Sequence, residues 1–139
     1  MPTPFPLDIL TPEHSFFSGQ AEGVIVMTPD GEICILAGHE PIVTPLKIGS
    51  VRLNIDGQWK EALISEGFME VGHSKTVIVT QACEWPENID VGRAQATLER
   101  AREQLRQQIS MREYKANQIT MARAMARLRV TKVYDYNLK

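Results

Sequence analysis

Trp85-Pro86-Glu87-Asn88-Ile89-Asp90-Val91-Gly92-Arg93-Ala94 is the stretch in which the chain changes its period. Before it, apolar and polar residues alternate over short runs, as in half-buried strands. After it, apolar residues recur every three or four positions, as on one face of a helix. Composition turns over at the same place. Residues 1–87 carry four bases and twelve acids; residues 88–139 carry eleven bases and five acids. All eight prolines and eight of the nine glycines precede residue 88. The formal net charge of −2 over 139 residues thus sums an acidic part of net −8 and a basic part of net +6.

Upstream of the switch the reading is all-β. Leu7 and Ile9 alternate with Asp8 and Leu10, and Val24-Ile25-Val26-Met27 lies in a strand over 21–28. Pro29-Asp30-Gly31 is a turn signal leading into Glu32-Ile33-Cys34-Ile35-Leu36. Val51, Leu53 and Ile55 alternate with polar residues, and Asp56-Gly57 closes a hairpin into Trp59 to Ile64. Phe68 to Val71 pairs with Thr76 to Thr80 around Gly72-His73-Ser74-Lys75. Eight or more short strands with frequent turns predict a sandwich or barrel over residues 1–86. Cys34, inside an apolar run, is expected to be a buried thiol, and Cys83 likewise; two cysteines make neither a disulfide framework nor a zinc pattern.

Downstream, residues 87–139 predict an antiparallel two-helix hairpin. Pro86 to Asp90 is a loop with Asn88 or Asp90 as N-cap. Val91, Ala94, Leu98, Ala101 and Leu105 form one narrow seam, polar residues 107–112 turn the chain, and Ile119, Ala122, Ala126 and Leu128 face the seam from a second helix. A seam so rich in alanine and poor in large side chains does not hold a helix pair alone.

Several function classes are excluded or weakened. The longest wholly apolar run, Ile33 to Ala37, is far short of the roughly 20 residues of a membrane helix. Met1 to Pro6 has no basic region and no apolar core of a secretory signal, so the chain is expected to stay where it is made. There is no Gly-x-Ser-x-Gly, no phosphate-cradling glycine loop and no His-Glu-x-x-His. His14, His39 and His73 lie in separate contexts, so no metal ligand set and no catalytic residue is predicted.

What the residues do offer is an arginine set. Arg93 and Arg100 lie two helical turns apart, each one residue before a seam position, and Arg123 and Arg127 share a face of the second helix. In an antiparallel hairpin the two pairs approach. Four guanidinium groups repel unless an anion fills the space, and arginine forks suit phosphate oxygens. A solvated basic face, partnered by Glu99 and Glu103, is the plainer reading. Nucleic-acid binding by the basic hairpin is a third, opposed by the acidity of the adjoining β unit.

In motif and order the chain resembles the epsilon subunit family of bacterial F-type ATP synthases over about residues 5–133. The resemblance rests on Leu7-Asp8-Ile9-Leu10-Thr11-Pro12-Glu13 with Phe17-Ser18-Gly19, on Gly38-His39-Glu40-Pro41-Ile42-Val43-Thr44-Pro45 through Gly49, on Ser65-Glu66-Gly67-Phe68-Met69-Glu70-Val71, and on Ala124 to Val130. It implies a ten-stranded β-sandwich followed by a helical hairpin. It also implies a non-catalytic rotor part whose sandwich binds the gamma subunit and the membrane c-ring, coupling proton (or sodium ion) flow to rotation. Glu32 and His39 match the c-ring-facing segment. The hairpin, extended along gamma into the alpha/beta head, inhibits ATP hydrolysis. Location is implied as peripheral, on the cytoplasmic face of the bacterial plasma membrane, with no nucleic-acid partner.

Some family members bind ATP through an Ile/Leu-Asp-x-x-Arg-Ala motif, present here as Ile89-Asp90-Val91-Gly92-Arg93-Ala94. The other contacts correspond to Glu84, Arg100, Arg123 and Arg127. The resemblance therefore implies ATP as a regulatory ligand, bound without hydrolysis and holding the hairpin folded, with magnesium left open. Gly92 weakens the first helical turn by roughly 1 kcal/mol relative to Ala.

Overall fold

The computed structural model describes residues 3–107 and 111–138, with side chains followed through Thr131. The chain divides into two compact units, residues 1–84 and 85–139.

The first unit is a sandwich of two five-stranded sheets. Its strands are β1 (Phe5–Leu10), β2 (Ser15–Ala21), β3 (Gly23–Thr28), β4 (Gly31–Ile35), β5 (Ile42–Leu46), β6 (Gly49–Ile55), β7 (Gln58–Ile64), β8 (Gly67–Val71), β9 (Thr76–Thr80) and β10 (Cys83–Glu84). One sheet runs β2-β1-β9-β8-β5 and the other β10-β7-β6-β3-β4. Every neighbouring pair is antiparallel except β1 and β9, which run parallel with Leu7 opposite Thr76. The alternation read in the sequence is the inward–outward alternation of these strands. Leu7, Ile9, Met69 and Ile78 from one sheet and Val24, Val26, Ile35, Val51 and Leu53 from the other are all but inaccessible.

Turn chemistry fixes the register. Asp56 and Gly57 both have positive φ (53° and 79°), the two-residue hairpin that joins Ile55 to Gln58. Gly31, at φ 125°, closes the β3–β4 turn, where the Thr28 hydroxyl donates to the Gly31 carbonyl at 2.7 Å. Gly67 answers a different need. A Cβ there would stand 2.0 Å from the Val79 carbonyl oxygen, so β8 and β9 can approach only with hydrogen at that position. Beside it the buried Thr80 hydroxyl bridges the carbonyls of Ser65 and Ala82.

Two expectations need correction. Residues 21–28 are not one strand: the chain turns at Glu22, separating β2 from β3. Cys34 is exposed, not buried. In β4 the inward side belongs to Ile33 and Ile35, and period-two alternation sends Glu32 and Cys34 outward. Cys83 is buried as expected. Loss of solvent pushes its thiol from 9.0 up to about 12, with the charge of Glu84 acting in the same direction and a backbone hydrogen bond at Glu84 opposing.

The second unit begins with one 3₁₀ turn, Pro86–Asn88, within the expected loop. Then come α1 (Val91–Gln107) and α2 (Met111–Leu138), which pack together. Only residues 108–110 separate them, so they run antiparallel. α1 rises about 25 Å and α2 about 42 Å, so α2 continues well past the start of α1.

The seam on α1 is Ala94, Leu98 and Ala101, with Leu105 half-buried. Val91 continues that spacing but, as the first residue of α1, is exposed. On α2 the expected set is corrected. Ile119 is exposed, and the continuous covered stripe is Tyr114, Asn117, Met121, Ala124, Leu128 and Thr131, spaced 3, 4, 3, 4, 3. That heptad spacing is the signature of a helix–helix seam. Asn117 and Thr131 disguise it as polar sequence; the Thr131 hydroxyl is satisfied by the Arg127 and Leu128 carbonyls, both at 3.0 Å. Ala126 and Val130 form a second buried face of α2.

Candidate functional site

The site is built around the start of α1. Asp90 is the N-cap: its carboxylate Oδ1 accepts the backbone N–H of Arg93 at 3.0 Å, and its carbonyl accepts the first helical bond from Ala94 at 3.0 Å. A carboxylate here satisfies an orphan donor and complements the positive end of the helix dipole. Ile89 is extended (φ −90°, ψ 127°) and half-buried, leading the chain out of the 3₁₀ turn. The sequence motif is therefore a capped helix entry.

The four arginines can be placed from the seam. Arg93, Arg100, Arg123 and Arg127 each immediately precede a seam residue: Ala94, Ala101, Ala124 and Leu128. The two-fold axis that relates antiparallel helices maps the preceding flank of one onto the preceding flank of the other. All four arginines therefore line one edge of the hairpin.

Their exposure differs for a geometric reason. Arg93 and Arg100 are exposed, whereas Arg123 and Arg127 are half-buried. The latter two occupy the arc of α2 between the seam and the second buried face at Ala126 and Val130, so their stems are covered. Glu99 and Glu103 pair along α1 with Arg102 at 3.6 Å and Arg106 at 3.3 Å. Glu84 belongs to the first unit, where it is half-buried in β10 opposite Leu63.

Glu32 and His39 also lie in the first unit. Glu32, exposed at the start of β4, is ion-paired with Arg52 of β6, which reaches diagonally across β3. Arg52 carries no motif, and only the register reveals it. His39 is exposed beyond the far end of β4, its ring Nδ1 donating to the Glu40 carbonyl at 2.7 Å. Glu32 and His39 therefore lie toward opposite ends of β4. Among the described residues no group of three or more His, Cys, Asp or Glu could hold a metal ion, and no helix is long and apolar enough to cross a membrane.

Two family models match the chain end to end in order. The ATP synthase delta/epsilon chain β-sandwich domain matches residues 4–86, and the long α-helix domain of the same chain matches residues 87–132.

The chain belongs to the ATP synthase delta/epsilon chain family.

Among relatives of that family, the ATP synthase epsilon chain of Caldanaerobacter subterraneus subsp. tengcongensis is 47% identical over 132 residues, covering 94% of this chain and 96% of its own. That of Ruminiclostridium cellulolyticum is 46% identical over 127 residues, covering 91% and 95%. The fold is shared with a chain of the Euglena gracilis mitochondrial ATP synthase (OSCP/F1/c-ring), at TM-score 0.75 and 22% identity, covering 100% of this chain and 84% of that one. The family membership makes this an epsilon subunit of ATP synthase, a non-catalytic part of the enzyme.

Proposed function

We propose that this epsilon subunit works in the central stalk as both coupling piece and ATP-responsive brake. In this reading the acidic sandwich is the anchor. It sits on the gamma subunit and presents Glu32 and His39 to the c-ring, at the cytoplasmic face of the membrane. The basic hairpin is the movable arm, which enters the alpha/beta head to inhibit hydrolysis and is held folded by ATP. A ligand that favours the folded form tenfold shifts the balance by about 1.4 kcal/mol.

The observation that carries the ATP reading is the single arginine edge beside a capped helix entry. Arg93, Arg100, Arg123 and Arg127 each immediately precede a seam residue, and the Asp90 carboxylate caps the entry through the Arg93 N–H. Guanidinium forks at that edge suit phosphate oxygens, and Arg100 extends the edge toward the turn. Ile89 and Asp90 order the entry at the other end. A subunit that inhibits without sensing ATP is the alternative.

Isothermal titration of the full chain with ATP separates the two. Saturable heat that disappears in the Arg123→Ala, Arg127→Ala double variant supports the sensor. An absence of heat at millimolar ATP, or binding undiminished in that variant, overturns it. Inhibition is tested separately, by the ATP hydrolysis rate of the complex with and without residues 87–139.

A further inference from the structure

The far end of β4 opens onto a cleft whose lining, His39 apart, the coupling and ATP readings leave unused. It lies between the loop after β4 and the β8–β9 turn, with Phe5 and Leu36 forming an apolar wall. Its polar lining is His39, His73, Ser74, Lys75 and Thr76, and no carboxylate lines it. That composition stands out against its surroundings. The first 87 residues hold twelve acids and only four lysines or arginines. Yet two of the protein's three histidines and one of those four cations converge here, with a hydroxyl beside them.

We infer that this cleft is a binding site for a single phosphate-type oxyanion. Lys75 supplies the fixed positive charge and the Ser74 hydroxyl a neutral donor. His39 is oriented by its Nδ1 bond to the Glu40 carbonyl, which leaves Nε2 to meet the ligand. An imidazole nitrogen can accept from a protonated phosphate oxygen or, once protonated, donate to an ionised one. A metal ion is disfavoured, because only two imidazoles face a lysine ammonium. Size disfavours a nucleotide. The cavity volume is only about 60 Å³ and open on one side, well below the range for small-molecule pockets. The Lys75 ammonium also lies 3.5 Å from an Asp8 carboxylate oxygen outside the cleft, so Asp8 competes with the ligand for it.

Free phosphate and the phosphodiester of an anionic lipid headgroup share this chemistry. The test is NMR titration of the full chain with inorganic phosphate, read at the His39 and His73 ring signals. In parallel, sedimentation with phosphatidylcholine vesicles is compared with and without phosphatidylglycerol. Saturable ring shifts with phosphate assign a free anion, and phosphatidylglycerol-dependent sedimentation assigns a headgroup. In either arm Lys75→Gln and His73→Asn should weaken binding at least fivefold, whereas Asp8→Asn should leave it equal or tighter. Asp8→Asn breaks the same ion pair as Lys75→Gln, so it separates loss of the site from loss of structure. No response in either arm, or a response indifferent to Lys75→Gln, overturns the inference. Arg123→Ala with Arg127→Ala should leave this binding intact, which distinguishes it from the ATP reading.

Discussion

Replacing Gly92 with Ala tests whether the start of α1 is a deliberately weak turn. Gly92 is the second residue after the Asp90 cap, exposed and helical, with no positive φ to require glycine. A Cβ built there meets only Asp90 Oδ1, at 3.5 Å, an ordinary contact. No steric cost therefore offsets the gain in backbone entropy. Gly-to-Ala in a helix stabilises by about 0.5–1 kcal/mol. That corresponds to a two- to fivefold drop in the local opening constant. Amide hydrogen exchange across residues 93–98 reads that constant directly. Gly92→Ala should raise protection there two- to fivefold and leave the sandwich strands unchanged. If ATP binds only the closed turn, its affinity should rise by no more than the same factor. Unchanged or reduced protection in the variant would refute the claim that glycine, and not some tertiary contact, sets the strength of this turn.

Other outcomes follow from the same structure. Asp90→Ala should act with opposite sign on the same amides, lowering protection by about 1 kcal/mol, since it deletes the cap on Arg93 N–H. Gly67→Ala should cost about 2–4 kcal/mol in thermal unfolding of the sandwich, because the new methyl meets the Val79 carbonyl oxygen at 2.0 Å and the backbone must move. Thiol titration of the native chain should find Cys34 reacting fast and Cys83 only on unfolding. For Cys83 the folded thiol titrates near 12 and the unfolded one near 9.0, so between those values the folded form binds more protons. Stability should therefore fall with rising pH across that window, by at most about 1.4 kcal/mol per unit. Cys83→Ala, compared by urea denaturation at pH 8 and pH 10, should lose that part of the slope.

The sandwich was legible because its strands obey period two and its turns carry their own chemistry. Asp56-Gly57 and Pro29-Asp30-Gly31 mark hairpins by the φ values they must adopt. β2 escaped notice because Ser15–Ala21 lies at a sheet edge, with mixed polarity and only Ala21 fully buried. Cys34 misled because an unbroken apolar run conceals which side of a strand faces the core. The α1 seam was readable, whereas the α2 seam passes through Asn117 and Thr131 and so does not look apolar. Of the candidate site, the capped motif and the arginines could be read from spacing. Their alignment on one edge needed the true seam, and Arg52 beside Glu32 needed the sheet register. The histidine–lysine cleft left no trace in the sequence, since its two loops lie more than thirty residues apart and meet only through the fold.

The parallel pair of β1 and β9 carries a consequence for how the molecule is made. Leu7 and Thr76 are partners across a closed loop of nearly seventy residues, so the central strands of one sheet cannot join until most of the sandwich exists. Non-local pairing of this kind slows folding. On the ribosome β1 must wait, with Leu7 and Ile9 unburied, until β9 has emerged, a period in which an unpaired apolar strand invites aggregation. The helical hairpin, whose contacts are local, follows last and has no such delay. The order of synthesis thus leaves the anchor as the slow step and the arm as the fast one.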